Sequence, residues 1–251
     1  MTHLHALRLS LPCILLTLSS CAGHSTPEKK HGHALVPGDA LHRAGMRSLV
    51  DVRAVVPDIV CDLRYMSSDN ITGQQLYPKD MPCLLLASTA EKLRRAQEAL
   101  RVQGYGLKIW DGWRPPEVQT QLFDHGGYTG MFTDPSITWS RHCSGTAVDV
   151  TLVDAKGRPL EMPTKYDQGG ALCHYVAVVK NEDVRKRRYA LQVAMMGAGF
   201  TLLETEWWHF DDADFNAGPV PPVVFAGEIG IGLPKVEPPR VRRGPPTYRV
   251  Q

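Results

Sequence analysis

The sequence predicts an α+β fold with one main domain. Predicted strands and helices follow one another without the regular β-α-β alternation of a parallel sheet. The chain has 251 residues, of which 43% are hydrophobic, which is enough for a packed core and fits one large domain or two small ones. The formal net charge of +2 gives no basic footprint for nucleic acid. We therefore expect a small molecule or a neutral polymer as the partner, and no nucleic acid.

Residues 1–20 have the pattern of a bacterial lipoprotein signal. Arg8 precedes the apolar run LSLPCILLTL, which is shorter than the about 20 residues of a membrane-spanning helix. The run ends in LSSC and resembles a lipobox, where cleavage leaves a lipidated Cys21. A plain secretory signal is the alternative. We expect an exported lipoprotein, anchored to a membrane through Cys21 and facing the periplasm or cell envelope.

Composition divides the rest of the chain into three parts. Residues 21–46 are polar and rich in His, Lys, Pro and Gly, which predicts a flexible tether. Residues 47–215 carry the strand and helix patterns of the domain. Residues 216–251 are rich in Pro and Gly and predict an extended tail without a core of its own.

Four cysteines lie in the domain: Cys61, Cys83, Cys143 and Cys173. An exported chain meets oxidising conditions, and four cysteines allow three complete pairings, among which sequence alone cannot decide. The interpretation that we favour pairs Cys61 with Cys83 and Cys143 with Cys173.

The first half of the domain predicts two strands, a loop, a helix and a third strand. LVDVRAV (49–55) alternates as a strand does, and IVCDLRY (59–65) is the next candidate. SSDNITG (67–73) has turn composition. A capping box at Ser88-Thr89-Ala90-Glu91 predicts a helix that ends at Gly104, and LKIW (107–110) predicts a buried strand.

The second half predicts two helices and two strands. Pro115-Pro116 begins a short helix that runs through Phe123. TAVDVTLV (146–153) is rich in β-branched residues and predicts a strand. A long helix covers about residues 183–198, and its basic run RKRR is typical of a solvated helix face. FTLLETEWWHF (200–210) predicts one strand with an aromatic end.

The stretch SRHCSGTAVDV indicates a metal site. Gly145 and the β-branched residues favour a loop that enters a strand, so Asp149 lies among apolar neighbours. A carboxylate is costly to bury there unless a cation or strong donors compensate its charge. Zinc would do so with His142 as a second ligand. A hydrogen-bonded structural pair of His142 and Asp149 is the alternative.

A zinc site in an enzyme usually takes three protein ligands. Of the ten histidines, six lie in the signal or tether, which leaves His125, His142, His174 and His209. His209 is the best third ligand, because Glu206 nearby could serve as general base and Trp207-Trp208 exclude water. Glu206 and His209 would face opposite sides of a regular strand, so this interpretation requires a bend or bulge.

Several motifs in order resemble the zinc D-alanyl-D-alanine peptidases of peptidoglycan, in particular the D-Ala-D-Ala dipeptidases of peptidase family M15 known from vancomycin resistance. The resemblance covers roughly residues 49–212. It implies a hedgehog-like α+β fold with a mainly antiparallel central sheet flanked by helices. The motifs are SxHxxGxAxD (140–149), ExxH (206–209), DLRY (62–65), DNxTG (69–73) and DGWRP (111–115).

The resemblance implies roles at the reacting bond. His142, Asp149 and His209 would bind one Zn²⁺ per chain, which lowers the pKa of bound water. Glu206 would act as general base and then protonate the leaving amine. Arg114 would stabilise the oxyanion.

It also implies roles at the two ends of the substrate. Ser140 would hydrogen-bond the carboxylate. Asp167 would bind the free ammonium, although the following QGGALCH departs from the family pattern. Asp69 and Asn70 would either support substrate binding or cap a turn.

We therefore expect a zinc dipeptidase that cleaves D-Ala-D-Ala to two D-alanines in the metabolism of cell-wall fragments. A carboxypeptidase that trims D-Ala from peptidoglycan stem peptides is the close alternative, and it needs an open groove where Asp167 would bind the ammonium. A non-catalytic cell-wall-binding lipoprotein is the alternative of another class. It predicts the loss of Glu206 or of a ligand, and neither is lost.

Overall fold

The computed structural model describes residues 37–235. The signal peptide, Cys21, most of the tether and the last part of the tail (236–251) lie outside the described residues. Within residues 37–235, no helix combines the length and the apolar character needed to cross a bilayer.

Seven strands of the described chain form two sheets. The large sheet has the order β2-β4-β5-β7-β6, and every neighbouring pair in it is antiparallel except β2 with β4. The small sheet pairs β1 with β3 in antiparallel register. In chain order the strands are β1 (Leu49–Asp51), β2 (Val60–Cys61), β3 (Leu84–Leu86), β4 (Tyr105–Asp111), β5 (Ala147–Asp154), β6 (Phe200–Leu203) and β7 (Glu206–Asp212).

Five α-helices accompany the sheets, and the two longest contact each other. Their bounds are α1 (Pro37–Met46), α2 (Val52–Val55), α3 (Ala87–Arg101), α4 (Pro116–Gly126) and α5 (Glu182–Gly197). α3 buries Leu93 and Leu100, while α5 buries Leu191 and Met195, as one apolar face of an amphipathic helix requires. The prediction of an α+β domain with a mainly antiparallel sheet is confirmed.

The central strand β5 explains where the candidate site lies. All of its residues except Asp154 are buried, and it pairs with β4 on one side and β7 on the other. Asp149 pairs with Asp111 of β4 and with His209 of β7, and this carboxylate is held at 2% exposure near one end of the sheet. The neighbouring strands therefore place Asp111 of β4 and His209 of β7 on either side of Asp149.

Three elements differ from the predicted ones, each because of a specific contact. The predicted strand 49–55 ends at Asp51, whose side chain accepts the amide of Arg53 over 2.9 Å and begins the short helix α2. The predicted single strand 200–210 is a hairpin of β6 and β7 that turns at residues 204–205. The capping box predicted at residues 88–91 is wrong, because Ser88 lies inside α3.

Helix α3 begins directly after β3 without a side-chain cap. The amide of Ala87 donates to the carbonyl of Ser48 over 2.9 Å, so a backbone partner from elsewhere in the fold satisfies a donor at the helix start. A hydroxyl cap is therefore not needed at this end.

The segment after β7 packs on the domain. Val224, Ala226 and Ile229, which lie in the predicted tail, are buried. Trp113 donates its indole N–H to the carbonyl of Val224 over 3.1 Å, and Val224 donates its amide to the carbonyl of Cys143 over 3.0 Å. Residues 224–229 thereby contact the two loops that carry the motifs DGWRP (111–115) and SxHxxGxAxD (140–149).

The four domain cysteines are free thiols, so neither predicted disulfide is formed in the structure. The thiols of Cys61 and Cys83 lie close to each other, and their interaction lowers the pKa of Cys61 and, together with burial, raises the pKa of Cys83. Cys173 instead contacts the hydroxyl of Thr164 over 3.6 Å, because its short helical turn directs the sulfur towards residues 164–168.

Candidate active site

A tight turn presents His142 to the end of the sheet. Residues Arg141–Ser144 form one turn of 3-10 helix that ends at Gly145 with φ 71°. A Cβ on Gly145 would lie 2.8 Å from the backbone nitrogen of Leu86, so glycine is required for both its conformation and its space. The Gly145 carbonyl accepts the Leu86 amide over 2.9 Å, which fixes the turn on β3.

Three ligand atoms converge beside this turn. Nε2 of His142 lies 3.2 Å from Nδ1 of His209 and 3.4 Å from Oδ1 of Asp149, and the last two atoms are 2.9 Å apart. His142, Asp149 and His209 thus form a triad, and all three side chains are buried. A tetrahedral zinc ion with bonds of about 2.0–2.1 Å separates its ligand atoms by roughly 3.3 Å. The donor set and its spacing therefore fit zinc.

Each ligand is oriented by a second partner. Nδ1 of His142 lies 2.7 Å from the carbonyl of Gly112, and Oδ2 of Asp149 accepts the hydroxyl of Tyr166 over 2.8 Å. Nε2 of His209 lies 3.1 Å from Oδ1 of Asp211. Burial would raise the pKa of Asp149, but the two imidazoles outweigh it and hold the pKa well below its ordinary value. Asp149 thus remains ionised, as a metal ligand must be.

A strand irregularity places Glu206 in the wall of the cavity that His142, Asp149 and His209 also line. Leu202 pairs with Phe210, whereas the next residue, Leu203, pairs with Glu206, so three residues of β7 have no partner on β6. This is the bulge that the three-residue spacing of Glu206 and His209 requires. Burial raises the pKa of Glu206 to about 7, and the charge of Asp149 adds to the rise against the opposing His209. A carboxyl with that pKa can both accept and donate a proton near neutral pH.

Arg114 is a buried cation held in one orientation. Its Nε donates to Oδ2 of Asp111 over 2.7 Å and its Nη1 donates to Oε1 of Gln119 over 2.8 Å. Its Nη2 lies 3.6 Å from Oδ2 of Asp149, and the guanidinium carbon lies 5.4 Å from the ring centre of Tyr65. The charge is therefore fixed beside the triad.

Asp167 and Ser140 line the same cavity as the triad, Glu206 and Arg114. The cavity measures about 130 Å³, and the side chains of Phe132 and Leu203 also border it. Burial raises the pKa of Asp167 to about 8, against the opposing charge of Arg114. Asp167 has a φ of 54°, a conformation that non-glycine residues adopt mostly where surrounding contacts enforce it.

Asp69 and Asn70 do not line this cavity. Asn70 caps its own loop, where its amide nitrogen donates to the carbonyls of Ser67 and Gln74 over 2.7 and 2.8 Å. Asp69 pairs with Arg64. Both border an outer groove of about 770 Å³ that meets the cavity at Asp167 and is lined by Arg64, Asp69, Asn70, Ile71, Trp110, Lys165, Tyr166, Asp167 and Gln168.

The two remaining domain histidines lie apart from the triad. His125 binds the carbonyl of Gln121 through Nδ1 over 2.8 Å, and His174 is not a member of the converging group. Sequence reasoning gave no role to five side chains that orient the site: Tyr65, Asp111, Gln119, Tyr166 and Asp211. Of these, Tyr65 and Asp111 lie in the DLRY and DGWRP motifs. The sequence could have predicted a role for Asp211, because residues i and i+2 of a strand share a face and His209 is a candidate ligand.

Comparison with known proteins agrees with the geometry. A family model described as D-Ala-D-Ala dipeptidase matches residues 46–221. The D-alanyl-D-alanine dipeptidase of Escherichia coli K12 is 31% identical over 163 residues, which cover 65% of this chain and 83% of that protein. The proteins of the same name from Enterococcus faecium (28% over 177 residues, 62% and 87% covered) and Streptomyces coelicolor (29% over 182 residues, 63% and 88% covered) are also similar.

Proposed function

The chain belongs to the D-Ala-D-Ala dipeptidase family of metallopeptidases, and we propose that it is a zinc enzyme that hydrolyses D-Ala-D-Ala to two D-alanines in the metabolism of peptidoglycan fragments. The observation that carries the proposal is the convergence of the His142, Asp149 and His209 ligand atoms with Glu206 in one small cavity.

The mechanism assigns proton transfer to Glu206 and charge stabilisation to Arg114. Zinc held by the triad would polarise the scissile carbonyl and activate the attacking water. Glu206 accepts the proton of the water and delivers it to the leaving amine, which its pKa of about 7 permits. Arg114 stabilises the negative charge on the carbonyl oxygen. Its hydrogen bonds to Asp111 and Gln119 already hold the guanidinium in place, so it does not have to reorient during the reaction.

Two further side chains select the ends of the dipeptide. Asp167 binds the free ammonium, and Ser140, which lines the same cavity, hydrogen-bonds the carboxylate. The cavity is small, with a volume of about 130 Å³, which favours a short substrate. Asp167 lies where the cavity meets the outer groove, so the ammonium of a dipeptide would bind there, whereas the stem peptide of a carboxypeptidase substrate would continue past Asp167 into the groove. The similarity to D-Ala-D-Ala dipeptidases favours the dipeptide as the substrate.

The proposed location rests on the sequence. Export and lipidation of Cys21 would place the domain beside a membrane on the periplasmic or cell-envelope side. Labelling of the full-length protein with a tritiated fatty acid tests this, and we expect the label to be lost in Cys21→Ser.

D-alanine release by the purified protein tests the activity. We expect release from D-Ala-D-Ala, none from N-acetyl-D-Ala-D-Ala, loss of activity with a chelator and recovery with zinc. His142→Ala should be inactive, whereas His174→Ala, which removes an imidazole outside the triad, should be active. Cleavage of the blocked dipeptide would instead favour the carboxypeptidase, and metal binding without cleavage of either substrate would favour the non-catalytic lipoprotein.

A further inference from the structure

Asp211 is a carboxylate on the far side of the His209 ring from the triad. In β7, His209 and Asp211 are two residues apart and share one face of the strand, while Phe210 between them is fully buried. Oδ1 of Asp211 lies 3.1 Å from Nε2 of His209, whereas Nδ1 of the same ring belongs to the triad. Asp211 therefore contacts the nitrogen that the triad leaves unused.

The two candidate imidazole ligands have different partners. The second nitrogen of His142 meets the neutral carbonyl of Gly112 at 2.7 Å, and the second nitrogen of His209 meets the charged Asp211. An acceptor at the second nitrogen requires the proton to reside there, which leaves the other nitrogen with a free lone pair. With the protons on the nitrogens that face Gly112 and Asp211, Nε2 of His142 and Nδ1 of His209, which converge with Asp149, would have lone pairs for a metal ion.

The position of Asp211 is fixed by the sheet. Its backbone pairs with Ala147 of β5 and with Thr201 of β6, so strands flank it on both sides. Its side chain is 26% exposed and borders the cavity. A hydrogen bond from Nε2 of His209 to a carboxylate on this fixed backbone limits the rotation of the ring.

We propose that Asp211 is the positioning residue of the metal centre, which holds the proton on Nε2 of His209 and strengthens Nδ1 as a zinc ligand. The inference rests on the proposed metal-dependent function. Outer carboxylates of this kind typically contribute 10- to 100-fold to metal affinity. Asp211 is not a fourth ligand, because the ring of His209 lies between its carboxylate and the triad.

Zinc affinity tests the proposal without relying on catalysis. The dissociation constant of the purified full-length protein is measured by competition with a chromophoric chelator. We expect Asp211→Ala to bind zinc about 10- to 100-fold more weakly and Asp211→Asn to recover part of the loss, because its amide oxygen can still accept the Nε2 proton. Glu204→Gln is the matched control, since it removes an exposed carboxyl from the same hairpin.

A second measurement separates positioning from a structural role. The melting temperature of the metal-free protein should change little in Asp211→Asn, while the visible spectrum of its cobalt form should shift. Zinc affinity within twofold of wild type in Asp211→Ala overturns the proposal, as does a wild-type chain that binds no zinc. A chain that shows the expected zinc affinities but does not cleave D-Ala-D-Ala supports the positioning role and refutes only the proposed activity.

Discussion

The hydroxyl of Tyr65 donates a hydrogen bond to Oδ2 of Asp167 over 2.9 Å, although 102 residues separate the two in the chain. The neighbouring Tyr166 donates its hydroxyl to Asp149 over 2.8 Å and lies 3.2 Å from the hydroxyl of Tyr65. The two tyrosines therefore connect the candidate ammonium site with the metal triad.

The substitution Asp167→Asn should weaken binding of the dipeptide. The amide keeps the size of the side chain but removes the charge that would neutralise the ammonium, and a hydrogen bond to a charged group contributes about 1.5–3 kcal/mol. We expect KM for D-Ala-D-Ala to rise about 10- to 100-fold with a smaller change in kcat, measured from initial rates. Asp124→Asn, an exposed acid on α4, serves as the control. An unchanged KM would show that Asp167 does not contact the ammonium.

The KM of the wild-type enzyme should depend on pH through Asp167. Its pKa is about 8 in the free protein, so the ionised form that attracts an ammonium becomes common only as pH rises. We expect KM to fall between pH 6 and pH 8. Tyr65→Phe removes a hydrogen bond to the ionised carboxylate and should move this fall to higher pH. The control is Tyr189→Phe, which changes an exposed tyrosine. If KM depended on pH in the same way in both variants, Tyr65 would not influence the ionisation of Asp167.

Removal of the Glu206 carboxyl should abolish turnover without removing the metal. General acid-base catalysis contributes about 10²- to 10⁴-fold, so we expect Glu206→Gln to lower kcat by at least about 10². Zinc content, measured by elemental analysis, should stay at one ion per chain because Glu206 is not in the triad. Loss of zinc in this variant would assign Glu206 to the ligand set instead.

Asp167 should also make the metal-free protein less stable at alkaline pH. Its carboxyl keeps a proton up to about pH 8 when folded, whereas the unfolded carboxyl loses its proton near pH 4. The folded state thus binds more protons between these values, and its free energy of unfolding falls as pH rises through this window. Asp167→Asn removes this effect.

Thermal unfolding in the presence of a chelator measures the difference. We expect the melting temperature of Asp167→Asn to exceed that of wild type by several degrees at pH 8.5, since about 1 kcal/mol changes the melting temperature of a domain of this size by about 2–4 °C. The difference in melting temperature between Asp167→Asn and wild type should disappear near pH 4. Equal melting temperatures at both pH values would mean that the folded carboxyl is not protonated.

The buried ion pair of Lys92 and Asp212 should be the stability determinant at the end of β7. Lys92 on α3 is 7% exposed and Asp212 is 1% exposed, and Thr89 also donates its hydroxyl to Asp212 over 2.7 Å. Lys92→Met leaves the carboxylate without its cation, which typically costs about 3–5 kcal/mol. Urea unfolding measures this cost.

The control for that experiment is Lys186→Met on α5. Lys186 forms an exposed ion pair with Glu182 over 2.8 Å, and such pairs contribute about 0.3–0.5 kcal/mol. Similar losses of stability in both variants would show that burial does not decide the contribution of Lys92.

Local patterns predicted most strands and helices because they depend on neighbours in the chain. The apolar run of β4, the β-branched residues of β5, Pro116 at the start of α4 and the extent of α5 were all readable from the sequence. The boundaries that failed depended on distant partners. The carbonyl of Ser48 makes the Ser88 cap unnecessary, and pairing with β5 and β6 folds residues 200–212 into a hairpin.

The sequence by itself determined the chemistry of the site: a histidine on a glycine-bounded turn, an acid within an apolar strand and a Glu-x-x-His motif with a bulge. These follow from residue type and short spacing. Only the tertiary structure decided that His142 and His209, 67 residues apart, offer nitrogens 3.2 Å from each other, that Tyr65 reaches Asp167 and that Val224 supports Trp113. The physical reason is that such contacts depend on strand register and close packing, in which the whole domain sets each position.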